Sequence, residues 1–246
     1  MSEAVQEPIA EGFWGSASEA ELVAALEKVG EELALDDARA VLRNPFASSR
    51  VMALLLAIEA LRSSYRWRKD LVWSRLTPPA IAMSLVPGLY WRDLAQLARE
   101  VVVHPRLRRQ ADETLLQRLR KLALGERIAL ARIATPPLIA VLRNDPSERI
   151  FHALLENPRL NEGTLLAVAM NSGSGPQILR VLARDRRWGV RYEIRRALVR
   201  NPRTPLQEAL GLVAGLKKVD LRAYARDPKV RSEIRQRCRL RLGEGR

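Results

Sequence analysis

The sequence predicts an all-α fold in which two-helix units stack on one another behind a helical N-terminal cap. Three observations support this prediction. The 246 residues are rich in Ala, Leu, Val and Arg and only 5% are aromatic, so strand-forming residues are scarce. Proline-containing punctuation recurs at intervals of about 40 residues, which is typical of stacked helical repeats. Between these marks, apolar residues follow helical spacing and give each predicted helix a buried face.

The chain begins with a segment that resembles a tail. Residues 1–17 are acidic and are interrupted by Pro8 and two glycines, so we expect a flexible acidic tail there. Phe13 and Trp14 could form a docking motif for a partner. We favour the simpler interpretation that they staple the tail onto the first helix. Residues 18–76 are then predicted to form the helical cap.

The first two helices of the cap are predicted from their ends. Ser18 and Glu21 form a capping box, so a helix should start there and stop near Gly30. Asp36 is expected to cap a second helix. It should end at Asn44-Pro45, because a residue before proline is pushed out of the helical region.

The rest of the cap is predicted to be one buried helix followed by a basic loop. Ser48 or Ser49 is expected to cap Val51–Leu61, which is apolar on nearly every side. Arg62–Asp70 is predicted to be a loop that carries Tyr and Trp side chains. Leu71–Leu76 should form a further short helix.

Residues 77–246 are predicted to form the repeat array, because helix-start signals become regular there. Three Thr-Pro pairs begin at Thr77, Thr135 and Thr204, and place threonine at the N-cap and proline in the first turn. A second set of pairs is expected to open the partner helices, at His104-Pro105, Asp145-Pro146, Asp185-Arg186 and Asp227-Pro228.

These residues resemble a known class of repeat. Asp185–Leu206, together with Asp227–Arg231 and Asn157–Leu160, is similar to the bacterial HEAT-like repeats and the leucine-rich repeat variant, with units of the form Asp-Pro-x-x-Val-Arg … Asn-Pro-x-Thr-Pro-x-x-x-Leu. The resemblance covers the chain from about Thr77 onward. It implies a right-handed α-solenoid with a scaffolding or adaptor role. Because many functions share such repeats, the resemblance predicts a fold better than an activity.

The resemblance also implies a ladder of ion pairs. In HEAT-like repeats, an aspartate that opens a helix and an arginine a few residues later commonly pair between successive units. The pairs that fit this pattern are Asp145 with Arg149, Asp185 with Arg191, and Asp227 with Arg231. The iron–sulfur module of some leucine-rich repeat variant proteins is not expected, because Cys238 is the single cysteine.

Composition excludes several classes of function. One cysteine and two histidines cannot supply a disulfide framework or a Cys/His zinc site, so no metal or other cofactor is expected. The N-terminus lacks a secretory signal and no apolar run reaches the length of a membrane span, so we expect a cytoplasmic protein without a membrane span. Phosphate-binding Gly-rich motifs are also missing. We therefore predict that the chain is not an enzyme.

Charge is distributed unevenly along the chain. The formal net charge is +14, yet residues 1–60 hold 4 Lys/Arg against 11 Asp/Glu, whereas residues 180–246 hold 20 against 7. An excess confined to one end favours an acidic partner there. The alternative is a solvated basic face that only keeps the protein soluble.

Candidate binding residues follow from helical spacing in the basic region. The stripe of Val190, Ile194 and Leu198 directs the nearby arginines of that helix to solvent, and the terminal helix repeats the pattern around Ile234 and Cys238. Arginine supplies the delocalised, permanently charged donors that anion binding requires. The candidate anion-binding or partner-binding residues are Arg195, Arg196, Arg200, Lys217, Lys218, Arg222, Arg235 and Arg239.

Two aromatic features suggest nucleic-acid chemistry. Trp188 and Tyr192 are one helical turn apart and could stack on a base, although packing between repeats is the interpretation that we favour. Trp91 and Asp93, with tryptophans at 67 and 73, invite comparison with HEAT-like alkylpurine DNA glycosylases, whose local motifs we do not find in the chain. Asp93 is the one carboxylate that this alternative would use.

The sequence thus predicts a non-enzymatic α-solenoid scaffold or adaptor. We expect its arginine-rich C-terminal repeats to bind a macromolecular partner, in the first place an acidic protein surface. A nucleic-acid-binding module is the alternative. A dependence of affinity on salt would distinguish them, because each neutralised duplex phosphate contributes about −0.9 to the slope of log affinity against log salt.

Overall fold

The computed structural model describes residues 12–244, and this part of the chain forms eighteen α-helices and no β-strand. The prediction of an all-α fold is therefore confirmed. Within the same residues, no helix combines the length and apolarity needed to cross a membrane. The chain divides into two compact units, of which unit 1 ends at Gln117 and unit 2 begins at Arg118. The boundary after Leu76 that the sequence suggested lies inside unit 1.

Unit 1 contains nine helices, the last of which extends one residue past its boundary. Its core is built around Trp67, Leu22, Val51 and Met52, each at most 2% exposed. The helices are α1 (Phe13–Ser16), α2 (Glu19–Val29), α3 (Leu35–Arg43), α4 (Ser49–Ala57), α5 (Glu59–Arg62), α6 (Tyr65–Trp73), α7 (Pro79–Leu85), α8 (Trp91–Arg99) and α9 (Pro105–Arg118).

Unit 2 contains the remaining nine helices, and its core includes Phe151, Leu179, Ile194 and Cys238, which are fully buried. Most of these helices contact the next helix in the chain, and several also contact the helix after that, as α13 does with α15 and α14 with α16. The helices are α10 (Leu124–Ile133), α11 (Pro136–Leu142), α12 (Glu148–Leu155), α13 (Glu162–Met170), α14 (Pro176–Arg184), α15 (Tyr192–Arg200), α16 (Leu206–Val213), α17 (Lys218–Arg226) and α18 (Ser232–Leu242).

Six helices of unit 1 have counterparts in unit 2 at a constant offset. Helices α3, α4, α6, α7, α8 and α9 each begin 127 residues before α13, α14, α15, α16, α17 and α18, as Tyr65 and Tyr192 illustrate. Residues 65–115 and 192–242 align without a gap, and 18 of these 51 positions hold the same residue. The two units are therefore built to one plan, and residues 127 apart are called equivalent below.

Buried asparagines connect helix ends in both units. The Asn44 side chain donates hydrogen bonds to the carbonyl oxygens of Trp14 (3.1 Å) and Ala17 (2.9 Å). Asn201 donates in the same way to Ala169 (2.7 Å) and Asn171 (3.0 Å). A buried carbonyl without a donor is costly, so each asparagine satisfies groups that the preceding helix end leaves open. Asn157 repeats the arrangement.

The N-terminal helices largely follow the predicted signals. Glu21 accepts a hydrogen bond from the Ser18 backbone (2.8 Å), so the capping box is present and α2 starts after it. Residues 12–17 are ordered into α1, and Trp14 is 6% exposed in the core of unit 1. That burial supports packing as the role of Trp14. The predicted tail upstream of Gly12 lies outside the described residues.

Three expectations about unit 1 were wrong in detail. The predicted basic loop is instead α6: Ser64 caps it by accepting the Trp67 N–H (3.3 Å), and its apolar face is buried beneath the run of charge that suggested a loop. The predicted central helix ends at Ala57, because Ile58 is extended. Helix α3 is capped at Ala34 and not at Asp36, which pairs with Arg39 on the helix surface.

The Thr-Pro pairs behave differently from the predicted caps at two of three sites. Helices α7 and α16 start one residue later than expected, so Thr77 and Thr204 precede the N-cap residue. Both threonines are buried, and neither side-chain oxygen has a hydrogen-bond partner among the described residues. At Thr135, by contrast, the threonine is the N-cap residue of α11.

The ion-pair ladder implied by the resemblance is replaced by another arrangement. Asp145, Asp185 and Asp227 each accept the backbone N–H two residues later, at 2.9 Å, and so form turns before the helices. Two of the three form ion pairs with earlier arginines, Asp145 with Arg127 (2.6 Å) and Asp227 with Arg200 (3.1 Å). The predicted ion pairs do not form, because these aspartates lie in turns where their side-chain oxygens accept hydrogen bonds from backbone N–H groups.

Candidate binding surface in unit 2

The two units differ strongly in charge. Unit 1 carries 14 Lys/Arg against 16 Asp/Glu, whereas unit 2 carries 28 against 12. The formal net charges are thus −2 and +16. Because the helices correspond, this contrast does not come from a different fold. It points to unit 2 as the place where an acidic partner would be attracted.

Helices α13, α15 and α17 form one face of unit 2. Asn201, the C-cap residue of α15, is bonded to the end of α13. At the other end of α15, the Tyr192 hydroxyl donates to Asp220 and accepts the Lys217 N–H (3.1 Å) at the start of α17. Like ends of these helices therefore meet, so the three lie parallel and present corresponding turns side by side.

A groove of about 330 Å³ runs over this face. Its apolar surface comes chiefly from α13, where Met170 is 68% exposed, and from the Tyr224 ring of α17. The groove therefore offers apolar side chains and charged groups side by side. The lining residues are Leu166, Met170, Glu193, Arg196, Ala197, Arg200, Asn201, Pro202 and Tyr224.

Two arginines line the groove and retain free donors. The Arg196 side chain is 46% exposed and contacts Glu193 (3.1 Å) and, more distantly, Asp220 (3.9 Å). The Arg200 side chain is 57% exposed and contacts Asp227 (3.1 Å). A guanidinium has five N–H donors, so each can also bind a carboxylate or phosphate of a partner.

Helix α17 adds a second set of cations. Lys218, Arg222 and Arg226 are exposed and follow each other at intervals of four residues, so they form one stripe. Among the described residues, no carboxylate lies within 4.0 Å of these three side chains. Their charge is therefore not neutralised by the unit itself.

The structure separates the predicted binding residues into groups. Arg196 and Arg200 line the groove, and Lys217, Lys218 and Arg222 lie on or just before α17. Arg235 and Arg239 are on α18, away from the groove lining, and Arg239 donates to the Ala225 carbonyl (3.4 Å). Arg195 differs most from its prediction, because it is half-buried and donates to the Gly215 carbonyl (3.3 Å).

The two predicted stacking residues are engaged in the fold. Trp188 is 4% exposed, and the Arg187 guanidinium lies 4.6 Å from the centre of its ring. The Tyr192 hydroxyl is held by Asp220, and Lys217 lies 4.7 Å from its ring centre. Burial and these contacts support packing as the role of both rings.

Desolvation affects two tyrosine hydroxyls on this face, of which Tyr224 belongs to the groove lining. Burial raises the pKa of Tyr224 to about 12, and its hydroxyl donates to the Arg196 carbonyl (3.1 Å). Burial, followed by the hydrogen bond to Asp220, also raises the pKa of Tyr192. Both phenols are therefore neutral donors at physiological pH, and they fix the backbone that carries the groove arginines.

Sequence reasoning missed the apolar part of the groove. Leu166 and Met170 are one turn apart on α13, as Glu193, Ala197 and Arg200 are on α15. The signal was available as an apolar pair on the solvent side of a helix, but it is hard to distinguish from core spacing before the facing helix is known.

The alternative site at Asp93 has a structural explanation. Asp93 accepts a hydrogen bond from the Tyr65 hydroxyl and pairs with Lys69 (2.6 Å). Trp67 is 2% exposed, so it cannot hold a nucleotide at the surface. Within residues 12–244, no three His, Cys, Asp or Glu side chains are grouped to hold a metal ion.

Comparison with family models, with curated proteins and with solved structures gives no match for this chain.

Proposed function

We propose that this protein is a non-enzymatic scaffold that binds an acidic segment of a partner protein through α13, α15 and α17 of unit 2. The observation that carries the proposal is the groove in which exposed apolar side chains and two arginines lie together. A segment with alternating acidic and apolar residues would satisfy both. Its carboxylates would take the free donors of Arg196 and Arg200, and its apolar side chains would cover Met170.

The architecture within which we place this surface is a right-handed α-solenoid of HEAT-like two-helix repeats. Contacts of several helices in unit 2 with the next helix and with the one after it, as α13 makes with α14 and α15, support a stacked arrangement, as does the recurring asparagine at helix ends. Parallel helices such as α13, α15 and α17 form the extended recognition faces that solenoids use. Membership of the HEAT-like or leucine-rich repeat variant group is part of this proposal.

Binding of nucleic acid is the second candidate, and the stripe of Lys218, Arg222 and Arg226 is the observation in its favour. Phosphate binding needs such a track of cations. The groove itself argues for protein, because Leu166 and Met170 give its lining an apolar part that a phosphate backbone would not cover. Rings that could stack on bases are buried or bonded on this face.

The proposal is tested by fluorescence anisotropy with three labelled probes: a 14-residue peptide of alternating Glu and Leu pairs, polyglutamate of equal length, and a duplex DNA. We expect the amphipathic peptide to bind tighter than polyglutamate, because only it can cover the apolar floor. Arg196→Glu with Arg200→Glu should weaken peptide binding about 100-fold, since two contacts become repulsive. The matched control, Arg186→Glu with Arg237→Glu, changes the net charge equally at exposed positions outside the groove and should change binding less than about threefold.

A second variant separates protein from nucleic acid. Met170→Ser should weaken binding of the amphipathic peptide about tenfold, because a large exposed apolar contact is lost. It should leave DNA binding unchanged. If the DNA binds tighter than the peptide, with a slope near −0.9 per phosphate against log salt, the nucleic-acid candidate replaces the proposal. Equal loss from both double variants would mean that only net charge matters, and would overturn the groove as the site.

A further inference from the structure

The face of unit 1 that is equivalent to the proposed site also carries unpaired arginines. Helices α3, α6 and α8 correspond to α13, α15 and α17. They expose Arg43, Arg66, Arg92 and Arg99, and none of these has a carboxylate of the described residues within 4.0 Å. Arg99 is equivalent to Arg226, the last member of the α17 stripe. The same helices are thus basic in both units.

This pattern is unexpected in a unit with a slight excess of acid. The acidic residues of unit 1 are concentrated between positions 19 and 37 and belong to α2, to the turn after it and to the start of α3. On the α6 and α8 side, Asp70 and Asp93 are the carboxylates, and both are paired within the unit, with Arg39 and Lys69. Charge in unit 1 is therefore segregated: the start of α3 is acidic, whereas the end of α3 and the helices α6 and α8 leave the rest of this face positive.

The equivalent face differs from the unit 2 groove at its floor. Arg39 and Asp70 occupy the positions of Leu166 and Ala197, and they form an ion pair where unit 2 has an apolar surface. Trp73 replaces Arg200 and receives the Lys69 ammonium over its ring at 5.7 Å. Unit 1 thus carries cations on this face, mostly at other positions than unit 2 does, and the groove floor is filled by its own side chains.

We infer that the α3, α6 and α8 face of unit 1 is a second, weaker binding site for the same kind of acidic protein segment, so that one chain binds two segments. The inference rests on the proposed function, because it assigns to unit 1 the ligand class proposed for unit 2. The site is weaker because its arginines can pair with the acidic residues of the segment, but its closed floor has no apolar surface for the segment to cover.

Calorimetric titration of the full chain with the Glu/Leu peptide tests the inference. The wild type should bind two peptides, the second at least about tenfold more weakly than the first. Arg196→Glu with Arg200→Glu should leave one weak site. Arg66→Glu with Arg99→Glu, which changes exposed residues only, should leave one tight site. Circular dichroism of each variant checks that the helices are intact.

The outcomes distinguish failure of the inference from failure of the proposed function. One peptide per wild-type chain, abolished by the unit 2 variant and unchanged by the unit 1 variant, would overturn the second site and leave the proposed function standing. No binding to the wild type would overturn both. A weak site that survives both double variants would place the second site elsewhere and also overturn the inference.

A graft provides an independent measurement. Arg39→Leu with Asp70→Ala installs the residues that unit 2 has at the equivalent positions, and it should open the floor of unit 1. We expect the weaker of the two affinities to increase about tenfold, with the tighter one unchanged. The control, Arg68→Leu, replaces an arginine of α6 that lies against Gly88 and outside this face, and should change neither affinity. A graft that weakens or abolishes the second site would contradict the role assigned to the floor.

Discussion

Unit 1 and unit 2 place six helices in the same order and at the same spacing, yet they differ by 18 in formal net charge. Many of the shared residues are buried apolar side chains, and others join helices. Tyr65 and Tyr192 each donate to an aspartate 28 residues later and accept a backbone N–H 25 residues later. Most residues that face solvent on the same helices differ, with Arg99 and Arg226 as an exception.

A second pair of contacts between helices is also shared by the two units. Arg68 and Arg195 each donate to the carbonyl of a glycine 20 residues later, Gly88 in unit 1 and Gly215 in unit 2. Ile81 of unit 1 borders a cavity of about 480 Å³, whereas its equivalent Glu208 in unit 2 pairs with Arg184 (2.7 Å). The two units therefore share the contacts that hold their helices together, whereas most of their exposed positions carry different side chains.

The largest expected effect tests whether the asparagine bonds are equivalent in the two units. Asn201→Ala removes two donated hydrogen bonds and leaves the buried carbonyls of Ala169 and Asn171 open, so we expect a loss of about 3 kcal/mol in the free energy of unfolding. Asn44→Ala should cost about the same. Urea unfolding followed by circular dichroism measures both.

Tryptophan fluorescence assigns each loss to a unit. Four of the five tryptophans lie in unit 1, so Trp188→Phe leaves a signal from unit 1 alone. Asn144→Ala is the control, because its side chain is exposed and makes one weak bond (3.3 Å). A cost below about 1 kcal/mol for either buried asparagine would show that the bonds do not carry equal weight in the two units.

Local signals in the sequence predicted several helix ends correctly, but they did not predict how distant segments are related. The starts of α2 and α9 and the end of α3 follow from a capping box and from prolines, which act within a few residues. Helix α6 was missed because a run of charge masked the spacing of Trp67, Leu71 and Val72, which are buried. The offset of 127 residues was visible in the sequence but requires comparison of distant segments.

The candidate site was predictable only in part for a similar reason. Arg196 and Arg200 follow from helical spacing on α15, since each points away from the stripe of buried residues. Leu166, Met170 and Tyr224 join them through contacts among three helices that are separated by many residues. Which apolar residues stay exposed depends on those contacts, and no single helix carries that information.

A smaller effect is expected from the tyrosine hydroxyls, and it should differ between the units. Tyr192→Phe leaves Asp220 with Arg196 at 3.9 Å, whereas Tyr65→Phe leaves Asp93 with Lys69 at 2.6 Å. We therefore expect a loss of about 2 kcal/mol in unit 2 and about 1 kcal/mol in unit 1, because the poorly compensated carboxylate costs more. Urea unfolding measures the difference. Tyr90→Phe is the control, since Tyr90 is 64% exposed and keeps its ring against Tyr65; equal losses in the two units would contradict the argument.

Alkaline pH should destabilise both units through one desolvated tyrosine in each, Tyr65 in unit 1 and Tyr224 in unit 2. Burial raises the pKa of Tyr65 and of Tyr224 from 10.0 to about 12, so the neutral form is favoured in the folded state. A raised pKa contributes stability that is complete below pH 10 and is lost as pH rises through about 12. Stability measured by urea unfolding at pH 9 and pH 11.5 should fall more in the wild type than in Tyr65→Phe or Tyr224→Phe. Identical pH dependence in all three proteins would refute the assignment to these hydroxyls.

The smallest effect concerns the glycines beneath the shared arginines. A Cβ at Gly88 would lie 2.9 Å from Cδ of Arg68, and one at Gly215 would collide more severely with the Arg195 guanidinium group. Alanine restricts the unfolded chain and favours folding by about 0.5 kcal/mol where it fits, so Gly88→Ala should be nearly neutral and Gly215→Ala should cost about 1 kcal/mol as Arg195 gives up its bond. In the Arg195→Ala background the collision disappears, and Gly215→Ala should then stabilise the protein in thermal unfolding. If it remained destabilising there, the glycine would be required by its backbone and not by the arginine that packs on it.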